Sequence, residues 1–594
     1  MGAFQATAGQ AHQNGDDNGQ GGNHNGQGGD HNGGGDNNQG GGEGGISHVL
    51  LLSIDGFHAL DYVNCVAAGT CPTLAALGRT GVNYVATSTS KPSDSFPGLT
   101  AIVSGGSPRT EGVFYDVAYD RSLDPPAEPT LNGLNGDPSL CTSGAPPTGT
   151  STEYEEGIDM DKNRLTGGAP SGDGGINSIE PKRLPRDPAN GCAPVFPWNF
   201  VRTNTIFGVI HGAGGYTAWS DKHPAYASVS GPGDGTNIDD FYGPEINSLS
   251  MNFETDNDIP VSFLNCSPEL PDQLSVMAGD DYTGSFQNIQ CYDAIKVQAI
   301  LNEIDGMTHN ASGRARVPTL FGMNFQSVSV GQKLVYQDGM VAPGYSGTGG
   351  YMDATGTPSA TLAQEIAFVD GAIGLMVSEL GKQHLSNSTL IVVTAKHGQS
   401  PIDPKRVLRI HGDVPSDKSP ATILGSTFLP DSELTQIGPT EDDISLLWLS
   451  DSTQTGSAVS MLESASPVLP QGGNIAGIGE IFWGPAIVPM FNPPGLPPDG
   501  DPRTPDIVIT PNVGVIYTGH QAKVAEHGGF ANDDTNVIML LSNPNFTAKT
   551  ITSPVETTQV APTILKALNL DPRSLEAVRK EGTQVLPGLP FAHD

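Results

Sequence analysis

The chain has 594 residues, among them 77 Gly and 48 Pro, with 36% hydrophobic and only 15% charged residues, and 28 Lys+Arg stand against 64 Asp+Glu. That length buries one extensive core with insertions or two to four smaller ones, so this is not a small disulfide scaffold. The formal net charge of -36 repels nucleic-acid phosphates and anionic lipid over most of the exterior, which excludes general nucleic-acid duplex or membrane-surface binding and obliges any anionic substrate to meet a local cationic site.

Residues 1–45 are Gly, Asn, Gln, Asp and His with almost no apolar residue after Phe4, too little to offset the entropy of ordering, so a disordered leader is expected there. The start shows neither a charged n-region nor an apolar h-region, and no run of about 18 apolar residues exists to span a membrane. The six cysteines nevertheless form sequence-near couples, Cys65 and Cys71, Cys141 and Cys192, Cys266 and Cys291, without a CxxC metal spacing. Three local disulfides are the simplest of the pairings six cysteines allow, and they imply a secreted or periplasmic chain whose leader is not in this sequence.

One ordered domain is expected over 46–594. His48 to Ile54 (HVLLLSI) is a continuous apolar run of strand length ending at Asp55-Gly56, as in a buried central strand. Pro72 opens a short helix that stops before Gly81, Val82 to Thr87 follows as a strand, and Leu99 to Val103 begins a helix closed by Gly105 and Gly106. Residues 120–197, rich in Gly, Pro, Asp and Ser, predict a surface insertion, and 225–290 a second loop-rich one. Between them, Asn204 to Ala213 is helical, and Tyr216 to Trp219 enters a strand that stops at Ser220-Asp221-Lys222-His223-Pro224. Helix resumes near Tyr292 to Ile304, and Thr319 to Phe325 is a strand. Leu362, Ile366, Val369, Ile373, Met376 and Leu380 make one apolar helical stripe, and Thr389 to Thr394 is a buried strand ending at Lys396-His397-Gly398. Residues 404–500 predict an inserted subdomain, with a strand at Ile444 to Leu449 and a helix around Ser457 to Ser464. Asp506 to Ile509 and Val513 to Tyr517 are expected to return to the main sheet. Val537 to Leu541 adds a strand, and Gln559 to Leu568 begins the closing helices.

Alternating strands and helices with short apolar strands predict an α/β fold, a three-layer sandwich around a mostly parallel central sheet with loop-rich insertions. Ligands in such folds bind beyond the carboxyl ends of the strands, which directs attention to Asp55, Lys396 and His397. Four polar clusters stand out in order: Asp55-Gly, Ser93-Asp94-Ser95-Phe-Pro-Gly98, Lys396-His397-Gly, and Glu526-His527-Gly-Gly. Singly, each reads as a turn or a helix cap.

Together, these clusters resemble the alkaline phosphatase superfamily, and within it the type I phosphodiesterase/nucleotide pyrophosphatase family. Ile54-Asp55-Gly56-Phe57, Cys71-Pro72-Thr73-Leu74, Ser95-Phe96-Pro97, Pro108-Arg109-Thr110-Glu111-Gly112, His397-Gly398, Pro505-Asp506-Ile507, His527-Gly528-Gly529 and Ala561-Pro562-Thr563-Ile564 carry the likeness. The resemblance implies an alkaline phosphatase-like fold and hydrolysis of small phosphorylated substrates, at phosphodiester or nucleotide pyrophosphate bonds. It implies Ser95 as covalent nucleophile and a divalent metal, zinc, held by Asp55, Ser95, His397 and His527; apart from the resemblance, Asp94 or Asp116 can add an oxygen ligand to an ion at Asp55, Ser95 and His397. The number of ions and the oligomeric state stay open.

Three ligand positions depart from the family pattern. Its Asp-His-Gly is Lys396-His397-Gly398 here, and the segment that carries an Asp and a His in the family runs from Asn324 to Gln332 with neither, which leaves Asn324 and Gln332 as candidate additional site residues. Lys396 is therefore the expected source of positive charge, able to pair with a substrate oxygen or to act on Ser95. Lys222 and His223 leave another strand and are candidates for the substrate pocket. The alternatives are a phosphomonoester, phosphonate or sulfate ester hydrolase with a one-metal or Lys-assisted site, and a catalytically silent binding protein on the same fold.

Overall fold

The central strand owes its position to its sequence: every residue of Val49–Ile54 is buried, and its side chains feed two cores in alternation. Val49 and Leu51 enter one core with Leu99, Ile102 and Ile564, whereas Leu50, Leu52 and Ile54 enter the other with Leu362, Ile366, Val369 and Ile373. A strand apolar on both faces needs helices on both sides, and that requirement makes the three layers. The computed structural model describes residues 45–591 apart from 155–156, 169–173, 249–258, 265, 267–281, 336–347, 411–418, 431–439, 466–476 and 518–522. The expected leader thus lies outside the described residues, apart from Gly45.

The main sheet has eight strands in the order Lys549–Ile551, Gly81–Tyr84, Leu540–Ser542, Thr389–Thr394, His48–Ile54, Leu320–Phe325, Ala218–Ser220 and Asp240–Tyr242. The 48–54 strand pairs in parallel with both neighbours, and the 218–220 strand is parallel to the 320–325 strand. Only the 540–542 strand opposes its neighbours. The carboxyl ends of four adjacent strands therefore open on one edge of the sheet.

The predicted apolar stripe is buried on the helix Ala360–Lys382. This helix is long and apolar enough to cross a membrane by length and composition, but Leu362, Ile366, Val369, Ile373, Met376 and Leu380 all pack in the second core. The helix that carries Ser95 spans Ser95–Ser104, longer than the periodicity predicts, because Asp94 caps it and accepts a hydrogen bond from the Phe96 amide. Gly105 ends it with φ +78, a left-handed conformation that glycine adopts without strain. All three expected disulfides, Cys65–Cys71, Cys141–Cys192 and Cys266–Cys291, are formed.

Two expectations need correction. The 507–511 strand does not return to the main sheet: it joins a separate four-stranded sheet with Thr440–Glu441, Ser445–Leu447 and Ile478–Trp483, and Val515–Tyr517 pairs with Leu408–Ile410. Its apolar side chains Ile507 and Ile509 close a small core of their own with Leu424, Leu447 and Leu462. Nor is 120–197 merely superficial, because Tyr154, Ile158, Ile179 and Leu184 are buried in the first main core.

Candidate active site

The Ser95 side chain is held where three elements meet. Its helix approaches the 389–394 strand so closely that a Cβ on Gly98 would collide with the Lys396 carbonyl, so glycine at 98 is what admits the helix. On the other side, Ser93 and Gly528 exchange backbone hydrogen bonds of 3.3 and 3.0 Å, tying the segment before Ser95 to the His527 loop. The amides of Asp55 and Gly56 donate to the Phe325 and His397 carbonyls at 3.0 and 3.1 Å, which locks the strand ends together.

Within this frame Ser95 is completely buried. Its Oγ lies 3.1 Å from His397 Nε2 and accepts a hydrogen bond from the Lys222 ammonium at 3.2 Å. His397 Nδ1 sits 3.0 Å from the Gly398 carbonyl, an acceptor only, so the ring proton belongs on Nδ1 and Nε2 is left to accept from Ser95. Burial, helped by Lys333 and Lys396 and opposed by Asp55, holds the imidazole down at about 4. The Ser95 hydroxyl also sits at the amino end of a ten-residue helix, where the backbone dipole favours negative charge.

Beside it, Lys396 Nζ is 3.4 Å from Asp55 and 3.3 Å from Asp221. Asp55 Oδ2 also accepts from Gln326 at 2.5 Å and Asn324 at 3.2 Å. Burial raises the Asp55 carboxyl, but Lys396, His397, Lys222 and the Gln326 hydrogen bond outweigh it and hold the group at about 2. The face of Tyr226 lies under both ammonium groups, 4.4 Å from Lys396 Nζ and 5.7 Å from Lys222 Nζ.

His527 stands next to His397, with ring centroids 4.3 Å apart. Its Nδ1 is 3.6 Å from Asp94 and 3.8 Å from Asp442. Burial first, then Lys333 and His397, pushes its pKa well below the usual histidine range. Asp442, Glu526 and His527 bring ligand atoms within 4.8 Å of one another, but Tyr115 donates to Asp442 at 2.6 Å, and Lys523 and Lys333 pair with Glu526 at 2.6 and 3.3 Å. Asp116 lies next to Asp94, whose Oδ2 accepts from the Asp116 amide at 3.1 Å.

Asp55, Ser95, Lys396, His397, His527 and Lys222 thus come together, with Asp94, Asp116 and Asn324 at their margin. His223 turns to Glu245, at 2.8 Å. Gln332 joins another network, donating to the Gly56 carbonyl and to Tyr351 at 2.8 Å each, beside His58 and Asp61. Asp221 lies in the strand-end segment that the sequence marks for the pocket, whereas Gln326 was missed by sequence reasoning, yet it directly follows the 320–325 strand, so the rule that marks Asp55 marks it too. A cavity of about 730 Å³ lined by Met160, Ile176, Phe196 and Trp198 includes none of these residues.

The donor set does not fit two divalent ions. A lysine replaces one expected ligand and the segment from Asn324 to Gln332 offers neither Asp nor His, Gln332 is committed elsewhere, and Gln326 uses its amide on Asp55. One position remains, bounded by Asp55, Ser95 and His397, with Asp55 Oδ1 lacking any hydrogen-bond partner among the described residues. An ion there would share Ser95 with one ammonium and Asp55 with another.

A model of the type I phosphodiesterase / nucleotide pyrophosphatase family matches residues 49–143 and 310–531. Those segments carry Asp55, Ser95, Asn324, Lys396, His397 and His527. Among solved structures, a mutant of the alkaline phosphatase PafA is similar with a TM-score of 0.50 and 14% identity, covering 89% of this chain and 96% of that one. Ectonucleotide pyrophosphatase / phosphodiesterase 5 is similar in its murine form (TM-score 0.47, 14% identity, 88% of this chain and 95% of that one) and in its human form (TM-score 0.47, 13% identity, the same coverage). No curated protein matches. At such identities the PafA likeness shows the alkaline phosphatase-like fold, while the family match covers more than half of the chain. The family's members are phosphoric ester hydrolases that generally depend on divalent metal, and this chain belongs to the type I phosphodiesterase / nucleotide pyrophosphatase family.

Proposed function

We propose that the chain hydrolyses phosphodiester or nucleotide pyrophosphate bonds through a covalent phospho-Ser95 intermediate. The observation that carries this reading is Ser95 Oγ, buried at a helix amino end, 3.1 Å from an imidazole nitrogen whose partner nitrogen faces a carbonyl.

The residues support two in-line displacements. In the first, the Ser95 proton passes to His397 Nε2 while the Oγ–P bond forms, and the P–O bond to the leaving group breaks with its electron pair. In the second, water attacks the phosphoserine, the P–Oγ bond breaks, and His397 returns its proton to Ser95. The proton released by water neutralises the leaving group, so the cycle closes. A zinc ion, the family's expected cofactor, would be held by Asp55, Ser95 and His397, where it would supply positive charge to the phosphoryl oxygens.

Charge favours a diester over a monoester. Lys222 and Lys396 are balanced by Asp55 and Asp221, and Asp94, Asp116 and Asp442 line the His527 side, so a monoanionic diester meets less repulsion than a dianionic monoester. Lys222 and His527, 9% and 8% exposed, are the least buried members of the inner cluster and mark the side of entry. The disulfides support export into an oxidising compartment, and we place the catalytic domain at 46–594.

The test is a panel of nitrophenyl phosphate monoesters and diesters with a nucleotide pyrophosphate. The wild-type chain should prefer the last two, and Ser95→Ala should lower kcat by about 10³-fold or more. Equal rates in both proteins would remove Ser95 from the reaction, and no hydrolysis at all would leave a binding protein.

A further inference from the structure

We infer that Lys222 is a catalytic residue, and that its ammonium, with that of Lys396 fixed beside it as a positioning group, supplies at Ser95 the positive charge that divalent ions supply elsewhere in the family, so that this chain turns over without a divalent ion. The inference rests on the phosphoesterase reading above and adds the source of charge.

The placement of Lys222 is set by the fold. It follows the 218–220 strand, which runs parallel to the 320–325 strand, itself parallel to 48–54. Adjacent parallel strands end on one edge, so the chain delivers Asp221-Lys222, Gln326, Asp55 and Lys396-His397 to a single point. The Lys222 backbone is held from both directions: its amide donates to Asp221 Oδ1 at 2.8 Å, and its carbonyl accepts from Ile246 at 3.0 Å. Held in this way, the side chain reaches Ser95 Oγ at 3.2 Å.

Asp221 Oδ1 couples the two lysines, taking the Lys222 amide and the Lys396 ammonium together. The buried ring of Tyr226 beneath both ammonium groups attracts each and lowers the cost of keeping two like charges close. The result is a built cationic floor rather than a chance approach of surface lysines: Lys396 is 0% and Lys222 9% exposed.

The chemistry follows from the geometry. An ammonium that already donates to the nucleophilic oxygen stabilises the negative charge that grows on it as His397 takes the proton, and a compact ammonium also binds the non-bridging phosphoryl oxygens as a point charge. Neither lysine gives up a proton in the two displacements, so their proton balance is unchanged. A dication would add two positive charges beside Lys396, which already pairs with both Asp55 and Asp221, and beside a hydroxyl that already accepts from Lys222.

The test uses the full chain, stripped with a chelator, checked for residual metal by mass spectrometry and assayed on bis(4-nitrophenyl) phosphate in metal-free buffer. The expected result is a kcat within about twofold of the untreated chain, about a 10²-fold loss in Lys222→Met, and partial recovery in Lys222→Arg. The stripping arm needs no substitution, so a poorly folded variant does not spoil the result. If stripping abolishes turnover and zinc restores it while Ser95→Ala stays inactive, the inference is overturned and the phosphoesterase reading survives. If the chain hydrolyses no ester in any state, both fall.

Discussion

The two halves of the site are built differently. The Ser95 half stands on the ends of adjacent parallel strands, where Asp55, Asp221, Lys222, Lys396 and His397 are fixed by the sheet register and the Lys396 ammonium pairs with both Asp55 and Asp221. The His527 half stands on loops, where Asp442, Glu526 and His527 are held by isolated backbone contacts such as Ser400 with Glu526 and Ser93 with Gly528. Positive charge settles the first half. In the second, burial and neighbouring carboxylates push Asp442 up to about 8, against Lys523, Lys333 and a hydrogen bond from Tyr115.

The largest expected contrast lies between the two histidines. His397→Ala removes the group that takes the Ser95 proton and should cost about 10³-fold in kcat, whereas His527→Ala should cost about tenfold, measured on the same diester. Equal losses would join the halves into one centre and break the comparison. Next comes stability. Asp55→Asn leaves the buried Lys396 with one carboxylate partner and should destabilise by about 3 kcal/mol in urea unfolding, while Asp442→Asn replaces a largely protonated carboxyl and should stay within about 1 kcal/mol at neutral pH.

The smallest effect is a pH slope. The folded pKa of Asp442 is raised, so its contribution to stability is fully present below the unfolded carboxylate value and is lost as pH rises through about 8. Asp442→Asn should therefore gain stability relative to the wild-type chain between pH 6 and pH 9 by about 2–3 kcal/mol. A gap that stays constant across that range would place the carboxylate in its charged form already at pH 6.

This division also explains what the sequence reveals. Asp55, Lys396 and His397 are legible because continuous apolar runs announce central strands and the next residue must face the ligand edge. Lys222 is legible as a strand-end residue, but its contact with Ser95 is not, because only the parallel pairing of 218–220 with 320–325 brings the two together. Gln332 misleads: it follows the same strand, but the helix Ser327–Lys333 carries it into the network of His58 and Tyr351. The 507–511 strand misleads for a different reason, since an apolar run states that a strand is buried without stating in which sheet. Residues 120–197 have loop composition, yet scattered side chains such as Tyr154 and Leu184 fill the main core without any periodicity to reveal them.

The central claim, a phospho-Ser95 intermediate, is tested most directly by the stereochemistry of hydrolysis at phosphorus. With a chiral phosphorothioate diester turned over in isotopically labelled water, two in-line displacements predict overall retention of configuration. Inversion would mean direct attack by water and would contradict the account.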